Sequence, residues 1–213
     1  MHPILHDVLV GIPFFLWVLV VVFPVSRWFY EKYSNYRARK AIHYFAGGFA
    51  ALIAPFIFKT PYVFVTASFL LFIMTYIPHA QEKRFEWFQI PGKYGEVYFT
   101  FSYFVLFSIF WNLDIWVAVT AALFMAFGDG ITGIVKEHFY GKRENERAVK
   151  GLNLGNLAMF IVCAPIGYIF EGVPGLIAAV YASLVEAFYG IDDNVTVPLG
   201  SAAIIWLLKS AGL

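Results

Sequence analysis

Apolar residues in this chain come in long, nearly unbroken runs, with short polar interruptions. A helix that crosses a bilayer needs about 20 mostly apolar residues, with about 17 as the lower edge. Eight runs meet or approach that length: 8–26, 41–58, 60–78, 97–113, 115–135, 154–170, 173–189 and 195–209, the last being the shortest. Two interruptions are very tight, at Lys59-Thr60-Pro61 and at Asn112-Leu113-Asp114. Each therefore joins neighbouring antiparallel helices. No linker tract, low-complexity tract or internal repeat divides the sequence. The pattern predicts an all-α fold: one domain over residues 1–213, built as a polytopic membrane helix bundle of about eight transmembrane helices.

Composition strengthens that reading. The chain is 61% hydrophobic and 14% charged, with 24 Phe and 13 Tyr, against about 45–50% apolar and about 25% charged in soluble domains. The single cysteine, Cys163, lies in an apolar run and has no intrachain partner for a disulfide. No Cys/His spacing resembles a zinc site. The start, MHPILHDVLVGIPFF, lacks the basic segment of a signal peptide, so it is expected to remain as the first helix. A net charge of +1 points neither toward nor away from nucleic acid.

Where the charges lie says more. Arg27, Lys32, Arg37, Arg39 and Lys40 follow the first predicted span, and Lys83, Arg84 and Lys93 follow the third. Lys136, Lys142, Arg143, Arg147 and Lys150 follow the fifth. With eight spans these loops share one side, leaving Lys59 and Lys209 on the other. Basic loops face the cytoplasm, which places both termini outside and the turn Gly190-Ile191-Asp192-Asp193-Asn194 inside.

Polar groups within the apolar runs are the candidate chemistry, because an intramembrane acid is costly and defaults to function. Asp129 sits between Gly128 and Gly130, and forms a stripe with Thr132 and Lys136. Gly128, Gly130 and Gly133 thin the helix there, leaving room for a neighbouring backbone or a ligand phosphate. Ser183, Glu186, Tyr189 and Asp193 form a comparable stripe. The structural alternative for Asp129 and Glu186 is a pairing with a Lys or Tyr inside the bundle.

The pair Asp192-Asp193 suits Mg²⁺ held between protein oxygens and a nucleotide's phosphates, while Asn194 suits the N-cap of the last helix. Lys142 and Lys150 each adjoin a glycine, which suits phosphate contact, although no P-loop is present. Topology alone accounts for Arg143 and Arg147. Arg39 and His43 share a helix face at the cytoplasmic boundary, in reach of a phosphate or a lipid hydroxyl. His2, His6, His79 and His138 form no constellation. Phe85, Trp87 and Phe88 suit the membrane interface, and Glu96 suits the start of a helix.

In order along the chain, these residues resemble a known family. Arg39-Lys40-Ala41-Ile42-His43 with Gly47 looks like the RKxxH…G opening of the dolichol kinase and phytol kinase family, the CTP-dependent lipid-alcohol kinases of a superfamily shared with cytidylyltransferases. Gly128-Asp129, Tyr140-Gly141-Lys142 and Lys150 are similar to its GDxxAxxxGxxxGK…K block. Gly155-Asn156-Leu157-Ala158-Met159-Phe160 resembles its GSLAMF segment, and Glu186 followed by Asp192-Asp193-Asn194, Thr196 and Pro198 looks like its EA…DDNxTxP close. The resemblance covers about residues 37–202. It departs after the basic loop, where Lys150-Gly151-Leu152-Asn153-Leu154-Gly155-Asn156 stands for K[ST]xEGS.

The resemblance implies transfer of the γ-phosphoryl group of CTP to a membrane lipid alcohol of the polyprenol, dolichol or phytol type. It implies Mg²⁺ on Asp129 with Asp192 or Asp193. Nucleotide and phosphate contacts fall on Arg39, Lys40, Gly128, Gly130, Lys142, Lys150, Gly155 and Asn156, and proton handling on Asp129, His43 or Glu186. Two other classes remain open. A cytidylyltransferase would make a CDP-lipid, but no DRxD block is present. A transporter would carry matched broken helices in two halves, and none is apparent.

Overall fold

The computed structural model describes residues 1–140, 151–188 and 192–213. Lys142, Lys150, Arg143, Arg147 and Tyr189 therefore lie outside the described residues. The chain is helical, with no β-strand among the described residues. Five helical stretches are long and apolar enough to cross a membrane: Pro3–Lys32, Asn35–Ile57, Pro61–Ala80, Ile115–Tyr140 and Leu154–Val185, with Gly95–Phe110 as a shorter apolar helix. A membrane helix bundle is compatible with this. Two compact units divide the chain, Met1–Ile115 and Trp116–Leu213.

The first unit opens with α1 (Pro3–Val20), which passes through a wide π-helical turn, Val21–Val25, into α2 (Ser26–Lys32). Pro24 lies in that turn, where a missing N–H is accommodated by the altered hydrogen-bond ladder. Both faces of α1 are apolar. Gly11, Phe14 and Val18 turn inward, while Leu5, Leu9, Ile12 and Leu16 stay exposed, the pattern of a helix with lipid on its outer side.

The exception on α1 is Asp7, fully buried. Its carboxylate accepts the backbone N–H groups of Lys59 and Thr60, each at 2.8 Å, and the Thr60 hydroxyl at 2.6 Å. Asp7 thus caps the start of α5 from another helix, satisfying donors that a helix N-terminus leaves over.

α3 (Asn35–Ala41) begins at Ser34, whose hydroxyl accepts from the Arg37 N–H at 3.3 Å. It continues through a second π-helical turn, Ile42–Gly48, into α4 (Phe49–Ile57), followed by α5 (Pro61–Ala80) and α6 (Gly95–Phe110). The aromatic loop before α6 is packed onto its own unit. Phe88 is buried, the Trp87 indole donates to Val22 O at 3.2 Å, and Gln89 bonds both Thr75 O and the Phe85 N–H. For Phe88 this corrects the expectation of an interfacial position: the loop closes over the helices.

The second unit is organised around α7 (Ile115–Leu123), a third π-helical turn, Phe124–Gly128, and α8 (Asp129–Tyr140). Most of this rod is buried. Residues Leu154–Val185 (α9) are two helical arms of a hairpin, not a rod. Gly172 has φ +62°, and Asn156 bonds residues 183 and 186, which a straight helix would carry about 40 Å away. Gly167 and Gly175 meet backbone to backbone next to the reversal, with no room for a Cβ on either. The break falls between the two spans expected at 154–170 and 173–189.

α10 (Asp193–Ser210) packs along α9. Its start lies by Tyr181, whose hydroxyl donates to Thr196 O at 3.1 Å, and its end by the hairpin turn, where Lys209 meets Glu171 at 2.6 Å. Its N-cap is Asp192, whose Oδ1 accepts from the Asn194 N–H at 2.9 Å. This corrects the expectation that Asn194 is the cap: the helix starts two residues earlier, and Pro198 falls inside it.

Candidate functional site

The polar groups of the second unit gather at one end of its helices. Lys136, on α8, is almost fully buried and meets Glu186 Oε1 at 2.5 Å. Glu186 Oε2 accepts from the side-chain amide of Asn156 at 2.7 Å, and the same amide donates to Ser183 O at 2.9 Å. The Ser183 hydroxyl returns a bond to Asn156 O at 2.8 Å.

Asn156 also completes a capping box. Its Oδ1 accepts the Asn153 N–H at 3.0 Å, while the Asn153 side chain accepts the Gly155 N–H at 2.8 Å. One amide thus fixes the start of α9 and ties it to the returning arm. The network is closed by hydrogen bonds, as two charges out of water require. The pairing with a lysine that the sequence left open for Glu186 is the one observed.

The glycines here have packing reasons. A Cβ on Gly155 would lie 2.7 Å from Lys136 Cε and 2.8 Å from Cγ, so Gly155 is what lets the lysine stem pass. A Cβ on Gly128 would lie 2.5 Å from Cys163 Sγ. Between them the Thr132 hydroxyl donates to Gly128 O at 2.8 Å and reaches Gly155 O at 3.2 Å.

The stripe Asp129, Thr132, Lys136 therefore faces the first arm of α9. Asp129 is half-buried, follows directly on the π-helical turn, and lies about 10 Å along the helix from Lys136 at 1.5 Å per residue. Gly130 is buried beside it.

Asp192 and Asp193 are half-buried at the head of α10. Asp192 Oδ1 is engaged in capping, accepting from both the backbone and the side-chain amide of Asn194. Among the described residues no three His, Cys, Asp or Glu side chains converge on a point that could hold a metal. Asp129, Asp192 and Asp193 are thus not gathered into a three-carboxylate centre. Mg²⁺ commonly takes one or two carboxylates and completes its shell with waters and phosphate oxygens.

The remaining candidates belong to the first unit. Arg39, His43 and Gly47 line a half-open cavity of about 80 Å³ among α1, α3–α4, α5 and α6. The His43 ring lies 4.2 Å from that of Phe99. Gly47 leaves room for Phe99 and for the Tyr103 hydroxyl. Lys40 lies over the Tyr36 ring at 5.4 Å.

Two residues that sequence reasoning set aside belong here. Glu96 lines the cavity and accepts a hydrogen bond from, or shares a proton with, His79 Nδ1 at 2.8 Å, and His79 stacks on Tyr94 at 4.1 Å. The charge of Arg39 acts on the same carboxylate. No spacing rule links 79 to 96. The available signal is that both are polar residues at helix ends joined by one loop.

The Tyr103 hydroxyl is buried in the cavity wall without a hydrogen-bond partner among the described residues. An orphaned buried donor costs about 1–3 kcal/mol, so this position suits an occupant with an acceptor. No protein-family model, curated protein or solved structure matches the chain.

Proposed function

We propose that this protein is an integral membrane lipid-alcohol kinase, transferring the γ-phosphoryl group of CTP to an isoprenoid or similar lipid alcohol with Mg²⁺. The observation that carries the reading is the Lys136–Glu186–Asn156 network. It joins the helix that carries Gly128-Asp129, the segment Gly155–Phe160 and Glu186. These belong to three of the four stretches whose residues resemble the family's blocks. Their convergence is what a shared phosphate site needs, and it supports the reading.

Phosphoryl transfer is catalysed by positioning and charge neutralisation. In this reading Asp129, with Asp192 or Asp193, holds Mg²⁺ on the nucleotide phosphates. Lys142 and Lys150 neutralise phosphate charge. The resemblance also names Arg39, Lys40 and His43, in the first unit, as phosphate or acceptor contacts, and His43 or Asp129 as the group that takes the alcohol's proton. Glu186, engaged by Lys136 and Asn156, holds the framework and keeps the proton role expected of it only if that pairing opens. This reading counts both arms of α9, α6 and α10 among eight spans, with the basic loops facing the cytoplasm.

Product analysis of the purified protein in lipid tests the proposal. With labelled CTP and lipid acceptors, the kinase yields CDP and a lipid phosphate. Pyrophosphate and a CDP-lipid would identify a cytidylyltransferase instead. Absence of any product across CTP, ATP, GTP and UTP would refute both and leave transport.

A further inference from the structure

We infer that the cavity of the first unit binds a single-chain lipid alcohol lengthwise, with its hydroxyl at the Arg39–Glu96 end and its tail between Phe14 and Phe64. The ligand class rests on the kinase reading; the cavity's polarity and length do not.

The lining is graded along the helices. Arg39, His43 and Glu96 stand at one end. Phe14, Ala50 and Phe64 stand at the other. From Arg39 to Ala50 the helix advances about 16 Å, the scale of an extended prenyl chain and too long for a small polar metabolite. Ala46, Gly47 and Ala50 keep the wall of α3–α4 thin along this length.

At the polar end both signs of charge are present: Arg39 and Glu96 line the cavity, and His79 Nδ1 lies 2.8 Å from the Glu96 carboxyl. A head group with a formal charge is costly in a poorly solvated place. A neutral hydroxyl can donate to the carboxylate and accept from the cations. Along the shaft the hydroxyls of Ser68, Thr75 and Thr100 are engaged by their own helices or by each other. They present no competing polar demand to a hydrocarbon tail. Tyr103 is the exception. Its buried hydroxyl lines the shaft without a hydrogen-bond partner among the described residues, and a water accompanying the tail would satisfy it.

The test uses the full chain in phosphatidylcholine nanodiscs, without nucleotide. The probe is geranylgeraniol carrying a diazirine at its tail end; geranylgeraniol, its monophosphate and palmitate are the competitors. Label is expected in the peptides holding Phe14 and Phe64, displaced about tenfold better by the alcohol than by either anion. Ala50→Leu and Ser68→Leu, which fill the shaft, should each cut labelling about tenfold with melting temperature nearly unchanged. Should both fail to fold, Glu96→Gln gives an independent reading. Removing the carboxylate leaves Arg39 in excess, so the monophosphate should become the better competitor.

Label confined to residues 116–213, equal displacement by palmitate, or an unchanged competitor order in Glu96→Gln would each overturn the inference. The two readings fail separately. Labelling of the cavity in a protein that transfers no phosphoryl group sinks the kinase alone. Lipid phosphorylation with label only in the second unit sinks the cavity alone.

Discussion

Lys136 and Glu186, fifty positions apart, meet at 2.5 Å in the interior of the second unit, and Asn156 binds the carboxylate's other oxygen at 2.7 Å. Breaking a buried pair on one side leaves an uncompensated charge, at a cost of about 3–5 kcal/mol. Lys136→Met and Glu186→Gln should each destabilise the protein by that order, measured by denaturant or thermal unfolding in detergent. The double variant should recover most of the loss, because it leaves no lone charge. A double variant as unstable as the sum of the singles would show that the two groups do not interact.

Asp129 faces the same neighbouring arm but is half-buried and lies one-and-a-half to two turns from that pair. Asp129→Asn keeps shape and hydrogen-bonding capacity while removing charge. Lipid phosphorylation should fall below detection while the melting temperature moves little. Retained turnover would remove Asp129 from the catalytic centre. Wild-type activity should also vanish in excess chelator and return with Mg²⁺, since among the described residues no three potential ligands converge to hold a metal without phosphate.

Much of the fold was legible because apolar run length is a direct consequence of bilayer thickness. The expected gap at 171–172 coincides with the reversal at Gly172, and the tight turn at Lys59-Thr60-Pro61 is where α5 begins. What periodicity could not show was pairing across helices. Lys136 was visible as the third member of the Asp129 stripe, yet nothing in spacing says that its partner is Glu186. Glu96 and Asp7 were harder. Glu96 had an adequate local excuse at a helix start, and Asp7, just before the first apolar run, belonged to no pattern. Their partners, His79 and the Lys59–Thr60 backbone, come from other helices. The π-helical turns at 21–25, 42–48 and 124–128 were also invisible, because a single inserted residue hardly disturbs an already uniform apolar run.

Gly155 tests why the segment before Asn156 carries a glycine. Its missing Cβ is occupied by the Lys136 stem at 2.7–2.8 Å. Gly155→Ala should therefore destabilise the protein by about 1–3 kcal/mol, the usual cost of overpacking. The same change in a Lys136→Ala background should cost less, with only the 2.9 Å approach to Asn153 Oδ1 remaining of the three close contacts. If the penalty is equal in both backgrounds, the glycine serves something other than the passage of the lysine.

Tyr103→Phe separates packing from binding in the first unit. The ring stacks between Phe99 and Phe107, with centroids 5.0 and 5.9 Å away, and the phenylalanine ring keeps both contacts. The hydroxyl has no hydrogen-bond partner among the described residues. Its removal should leave the unliganded protein as stable as before, or stabilise it by about 1 kcal/mol, because the cost of an unsatisfied buried donor disappears. If the cavity holds a ligand or water that accepts from Tyr103, the variant should lose affinity for the lipid alcohol, raising KM with kcat unchanged. A large destabilisation without lipid would mean that the hydroxyl is paired in the resting protein, and that it is not there for an occupant.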